Sequence, residues 1–128
     1  MTDMGTFRVD VEVENPGRPG QRKLFRNVLV DTGAEYSVFP ASALVELGID
    51  AFKEVRFRQA DGTSFTRSIV GPARIHVAGT STHDDVVLGA DTDLILLGAR
   101  TLEGLNFRID PVLKQLVDAG PVPLASVA

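Results

Sequence analysis

The chain has no cysteine, which excludes a disulfide framework and a thiolate zinc site. It lacks a long apolar run, since the longest, Leu94 to Leu97, is far short of a membrane span. It has no excess of basic residues either: 13 Lys and Arg stand against 17 Asp and Glu, for a formal charge of −4. That balance disfavours nucleic acid and anionic membrane surfaces as partners. Arg18, Arg22, Lys23 and Arg26 form a small basic cluster, but they surround a Pro/Gly turn and read as a solvated hairpin end. The opening, Met1 to Gly5, lacks the charged-then-apolar profile of a signal peptide, so a cytoplasmic location is expected. Histidine occurs twice: His76 within a strand pattern, and His83 in a polar loop beside Asp84 and Asp85. Neither has a zinc spacing motif around it. "ADTD", Ala90 to Asp93, lacks the glycine and the length of a calcium loop and reads as a turn. No metal and no cofactor is therefore assigned. Ser37 and Ser42 have no histidine at a motif-defined spacing, which leaves a serine nucleophile unsupported.

What is present is 128 residues, enough for one domain with a real core. Phe7 to Glu14 alternates strictly, with Phe7, Val9, Val11 and Val13 on one side and Arg8, Asp10, Glu12 and Glu14 on the other, the pattern of a half-buried strand. The breakers of "NPGRPG", Asn15 to Gly20, then turn the chain into a second strand, Lys23 to Val30. "ASALVELG" predicts a helix of about two turns that Gly48 stops. Asp61-Gly62 lies between two strand-like arms, Phe52 to Val70, whose many polar residues predict a hairpin that either projects from the body or covers something only part of the time. "ARIHVAG" and "DDVVLGA" read as two further strands, "LILLG" as a short buried one, and Ala99 to Glu103 as a helix. "NFRIDPVLKQLVD" predicts two short strands around Pro111. The domain is thus expected to span residues 1–118, with 119–128 either a flexible tail or an intersubunit arm. The fold class is mainly β with one or two short helices.

The stretch "NVLVDTGAEYSVFP", Asn27 to Pro40, runs an apolar strand directly into Asp31. A carboxylate at the mouth of a core is penalised in its charged form unless something offsets the cost. Turn chemistry alone accounts for Asp31-Thr32-Gly33, and so does half of a catalytic carboxylate pair. A weak internal echo accompanies the motif: "VLVDTGAEYSVFPASALVELGI" and "LILLGARTLEGLNF" each run from apolar strand through a glycine turn into a short helix.

Three segments together, "VDTGA" after apolar residues, "ADG" in a polar hairpin and "LILLGARTL", make the chain resemble the retropepsin-like family of single-domain aspartic proteases, in particular its small bacterial members. The resemblance covers about Phe7 to Val117. It implies a barrel-like half-pepsin with a flap hairpin, and a homodimer in which Asp31 of each subunit meets its counterpart and activates water for hydrolysis of a polypeptide. It implies that Thr32 bonds across the dimer axis and that Gly33 and Ala34 present substrate-facing backbone. Glu35 would pair with Arg100, Leu97 and Gly98 would pack beneath the Asp31 loop, and Ala60, Asp61, Gly62 and Thr63 would lie at or near the flap tip. Glu35, Leu97 and those four hairpin residues are the expected substrate contacts. The alternative function is a non-catalytic module of the same fold that dimerises or binds a peptide.

Overall fold

The computed structural model describes residues 7–125. The segment read for a targeting signal and the last three residues of the tail lie outside them. Alternation places Val11 and Val13 of strand β1 (Arg8–Glu14) in the core, and β1 pairs antiparallel with β2 (Arg22–Val30). A three-residue strand that the pattern does not announce, β3 (Val38–Pro40), leads into helix α1 (Ala41–Glu46). Gly48 comes next at φ +75°, a conformation in which a side chain would be strained, and the Asn15 side-chain amide donates to the free carbonyls of Leu47 and Gly48.

Strand β4 (Ala51–Arg58) then pairs with β5 (Ser64–Val77), and β5 with β6 (Thr80–Gly89). The expected break between the arm ending at Val70 and "ARIHVAG" does not occur, because β5 is one strand of 14 residues. Gly71-Pro72 only shifts its register, between Val70 and Ala73, since proline has no N–H to give to the ladder. His83, expected in a loop, is an exposed residue of β6. Strand β7 (Leu96–Leu97), helix α2 (Ala99–Leu105) and the hairpin β8 (Phe107–Asp110) and β9 (Gln115–Asp118) complete the described elements. "LILL" is buried only at its end: Leu94 is 68% exposed, whereas Leu97 is fully buried.

Seven of the strands form one sheet in the order β1-β2-β7-β3-β6-β5-β4, β8 and β9 form a separate two-stranded sheet, and a further β1–β5 pairing closes six of the seven into a ring around the core. Val11, Val13, Val28, Val30, Phe39, Ile75, Val86 and Leu97 fill it, with Leu44 of α1 and Leu102 of α2 packed in. This is a mainly β, retropepsin-like architecture, as the sequence predicts. Among the described residues no helix is long and apolar enough to cross a membrane.

Two features of the ring position its loops. β2 and β7 run parallel with Val30 opposite Leu97, so the loops after both strands emerge side by side. β5 pairs with β6 only as far out as Ile69, which leaves β4 and the outer part of β5 as a two-stranded ribbon.

One residue departs from the alternation of β1. Glu14 is 3% exposed and accepts hydrogen bonds from the Gly20 N–H at 2.7 Å and from His76 Nε2 at 2.7 Å, tying β1 to the turn and to β5. The Gly20 N–H, followed by His76, holds the Glu14 carboxyl below the usual carboxylate range. A carboxylate of lowered folded pKa stabilises the protein above its ordinary value, and that contribution disappears as pH falls through the folded value. Thermal melts from about pH 7 to about pH 3 are therefore expected to find wild type more stable than Glu14→Gln near neutrality, with the gap closing on the acid side.

Candidate active site

Asp31 begins where β2 ends, beside a nearly buried Val30, and its half-buried position follows from that junction. Its own N–H is donated to Leu97 O at 2.9 Å, Gly33 N–H is donated to Asp31 Oδ1 at 2.9 Å, and Ala34 N–H to Asp31 O at 3.2 Å. Backbone bonds thus hold the main chain of Asp31 from both sides, and the Gly33 N–H orients its carboxylate through Oδ1. A Cβ on Gly33 would lie 3.2 Å from Asp31 Oδ1, tight enough to disturb that bond. Thr32 is exposed.

The loop rests on the start of α2. Ala99 N–H donates to Ala34 O at 2.8 Å and Arg100 N–H to Glu35 O at 3.1 Å. A Cβ on Gly98 would sit 2.5 Å from the carbonyl carbon and oxygen of Tyr36, so the two segments approach as closely as they do because position 98 has no side chain.

Beneath them runs a buried polar chain that sequence reasoning missed. Gly98 N–H donates to Ser37 Oγ at 2.9 Å, Ser37 Oγ lies 2.5 Å from Thr101 Oγ1, and Thr101 donates to Asp84 Oδ2 at 2.8 Å. With Gly98 N–H donating at one end and an acceptor-only carboxylate at the other, the Ser37 hydroxyl must donate to Thr101. Each of these polar types is found in many ordinary contexts, and only the β3–β6 pairing and the α2 packing bring them together. Removing Thr101 Oγ1 leaves both neighbours short of a partner in a buried site, so Thr101→Val is expected to cost about 2 kcal/mol, measured by denaturant unfolding, with Thr101→Ser close to wild type.

Two expected placements are corrected. Arg100 does not pair with the Glu35 carboxylate; its guanidinium lies 3.4 Å from Asp84 Oδ1 and over the Tyr36 ring, 5.0 Å from its centroid. Asp84, 7% exposed and already fixed by Thr101, is the nearer and less solvated anion. Leu97, expected among substrate contacts, is fully buried and meets the Asp31 loop through its carbonyl.

Ala60, Asp61, Gly62 and Thr63 form the exposed tip of the β4–β5 hairpin. The tip is a tight turn: Gly62 N–H donates to Gln59 O at 3.0 Å, and Asp61 Oδ1 accepts from both the backbone N–H and the hydroxyl of Thr63. Those bonds, the hydroxyl first, hold the Asp61 carboxyl below its ordinary range.

The hairpin does not project freely. Phe57 and Phe65 are register partners whose rings stack at 5.7 Å, and Phe57 meets Tyr36 edge-on at 5.9 Å. Between hairpin and Asp31 loop lies a cleft of about 460 Å³, lined by Gly33, Ala34, Glu35, Tyr36, Val38, Phe57, Arg58, Gln59, Phe65, Val87, Thr92, Asp93, Leu94 and Leu96. Its volume and largely apolar walls suit a short segment of extended peptide. Among the described residues no three His, Asp or Glu side chains converge as a metal site requires.

A loop carboxylate pinned by backbone, beside an apolar cleft roofed by a hairpin, is the setting in which the comparison with protein families becomes informative: the family model described as aspartyl protease matches residues 9–101. The chain belongs to this aspartyl protease family, which is of retropepsin-like type. The matched span runs from β1 through the first half of α2, and so takes in the Asp31 loop, the hairpin and the polar chain beneath. A comparison with curated proteins finds no match. As a member of an aspartyl protease family, the protein has a general reading as a protease-like hydrolase.

Proposed function

We propose that the protein is a homodimeric aspartic endopeptidase that cuts extended polypeptide between bulky apolar residues, with Asp31 of each subunit forming the catalytic pair. The observation that carries this reading is the position of Asp31: it ends a buried strand, its carboxylate accepts the Gly33 N–H, and the loop it opens, from Gly33 to Tyr36, forms one wall of a largely apolar cleft. One such aspartate per chain calls for a second copy to supply the other. Residues 1–118 form the protease domain in this reading, and the segment after it serves as a tail or arm.

Two carboxylates held within a few ångströms share one proton, because like charges that close do not both ionise. The ionised Asp31 takes a proton from water as the water oxygen attacks the peptide carbonyl. The protonated Asp31 of the other subunit donates to the developing oxyanion. The C–N bond then breaks as a proton passes to the leaving amine, giving a carboxylic acid and an amine without a metal or covalent intermediate. Gly33 and Ala34 supply backbone beside the substrate, Thr32 ties the two loops across the axis, and the hairpin tip from Ala60 to Thr63 closes as a flap. Leu94 and Phe65 give the cleft its preference for apolar side chains.

The test is mass-spectrometric digestion of a diverse peptide library from mildly acidic to neutral pH, with the oligomeric state measured in the same buffers. Cleavage at apolar pairs by a dimer is expected. A folded dimer that binds peptides and cuts none at any pH would make the protein a binding module instead.

A further inference from the structure

Arg67 is a charged residue on the inner face of a strand. It lies two positions after Phe65 and two before buried Ile69, so β-strand alternation puts all three on one face, the face from which Phe65 lines the cleft. A guanidinium there is costly without a partner, and its partner comes from another segment: Arg67 Nε and Nη2 donate to the two oxygens of Asp93 at 2.7 and 2.9 Å, with both side chains about one-fifth exposed. The guanidinium also covers the Phe65 ring at 4.6 Å. Asp93 is itself fixed, accepting the Ala90 N–H at 2.8 Å and donating its own N–H to Ala90 O. It stands between Thr92 and Leu94, which line the cleft.

Beyond Ile69 the hairpin pairs with no further strand, and an isolated two-stranded ribbon is only marginally stable in water. Its position over the cleft is therefore set by side-chain anchors. One is the Phe57–Phe65–Tyr36 cluster, and the other is the two-pronged Arg67–Asp93 pair.

We propose that Arg67 and Asp93 are positioning residues that latch the hairpin to the opposite wall of the cleft, so that flap position and the Leu94 wall move together when a peptide enters. The substrate consequence rests on the endopeptidase reading; the mechanical one does not. Opening the latch changes the cleft while leaving the Asp31 loop, held by Leu97 and α2, in place.

The test compares wild type with Asp93→Asn, Arg67→Met and the charge-exchanged double variant Arg67→Asp/Asp93→Arg. Hydrogen exchange is followed in segments 57–66 and 90–95 and in the β8–β9 hairpin as reference. Loss of a two-pronged charged pair is expected to speed exchange about tenfold in both cleft segments at once, to leave β8–β9 unchanged, and to be partly reversed in the exchanged pair. With a cleaved peptide, KM is expected to rise about tenfold while kcat stays within about twofold. Exchange that is unchanged, or that rises in only one of the two cleft segments, overturns the latch whether or not any peptide is cut. A uniform rise including β8–β9 assigns the pair to global stability and overturns it equally. Absence of cleavage by wild type with the coupled exchange intact counts against the endopeptidase reading alone.

Discussion

Asp31→Asn is expected to abolish peptide cleavage while leaving the fold unchanged. The substitution keeps the shape of the side chain, and an amide oxygen at Oδ1 still accepts the Gly33 N–H now donated to the carboxylate at 2.9 Å. The Asp31 N–H to Leu97 and the Ala34 N–H to Asp31 O are backbone bonds and are untouched. What is lost is the ability to take a proton from water, which a neutral amide lacks. Removing a positioned acid–base group costs about 10²- to 10⁴-fold in rate, and loss in both subunits of a symmetric dimer removes both members of the pair. Rates below one thousandth of wild type are expected, with thermal stability and oligomeric state close to wild type. Retained cleavage by a pure variant would place the chemistry elsewhere.

Gly98→Ala is expected to be the most disruptive small change in the matched span. At φ −98° the backbone is ordinary, so the cost is steric: the added methyl carbon would meet the Tyr36 carbonyl at 2.5 Å and the Ala34 oxygen at 2.9 Å. Those atoms are backbone and cannot rotate away. Either α2 retreats, which breaks Ala99 N–H to Ala34 O and Arg100 N–H to Glu35 O, or the Asp31 loop shifts. Forced repacking of this kind costs about 3 kcal/mol, a fall of about 10 °C in melting temperature for a domain of this size. Activity is expected to fall further than stability explains, because the displaced segment carries Asp31. A Gly98→Ala variant with wild-type melting and unshifted loop amides would contradict the packing described.

Local signals carried much of the architecture. Period-two alternation marks β1, the Asp61-Gly62 turn marks the hairpin tip, and the strand-to-aspartate junction at Val30 marks the loop that the cleft adjoins. Features set by pairing between distant segments were not legible. β3 is three residues long and has no period to read, yet it joins β7 to β6 and completes the ring. Phe57 and Phe65 are scattered among polar neighbours in sequence and become a stacked pair only once the register is known. Ser37, Thr101 and Asp84 come from the β3 approach, α2 and β6, so their hydrogen-bonded chain has no sequence spacing at all. Glu14 keeps the polar phase of its strand and is nonetheless buried, because the turn and His76 supply its hydrogen bonds. Leu94 shows the opposite failure: hydrophobicity alone reads it as core, and the structure leaves it on the cleft wall.

Whether two copies of Asp31 make one site is tested most directly by subunit mixing. Wild-type and Asp31→Asn chains are combined in varied ratio at fixed total concentration, allowed to exchange, and assayed on a cleaved peptide. If both aspartates are required, activity scales with the square of the wild-type fraction, about one quarter at an equal mixture of freely exchanging subunits. Activity that falls only in proportion, to about one half at that mixture, would mean that each chain carries a complete site and would contradict the shared pair.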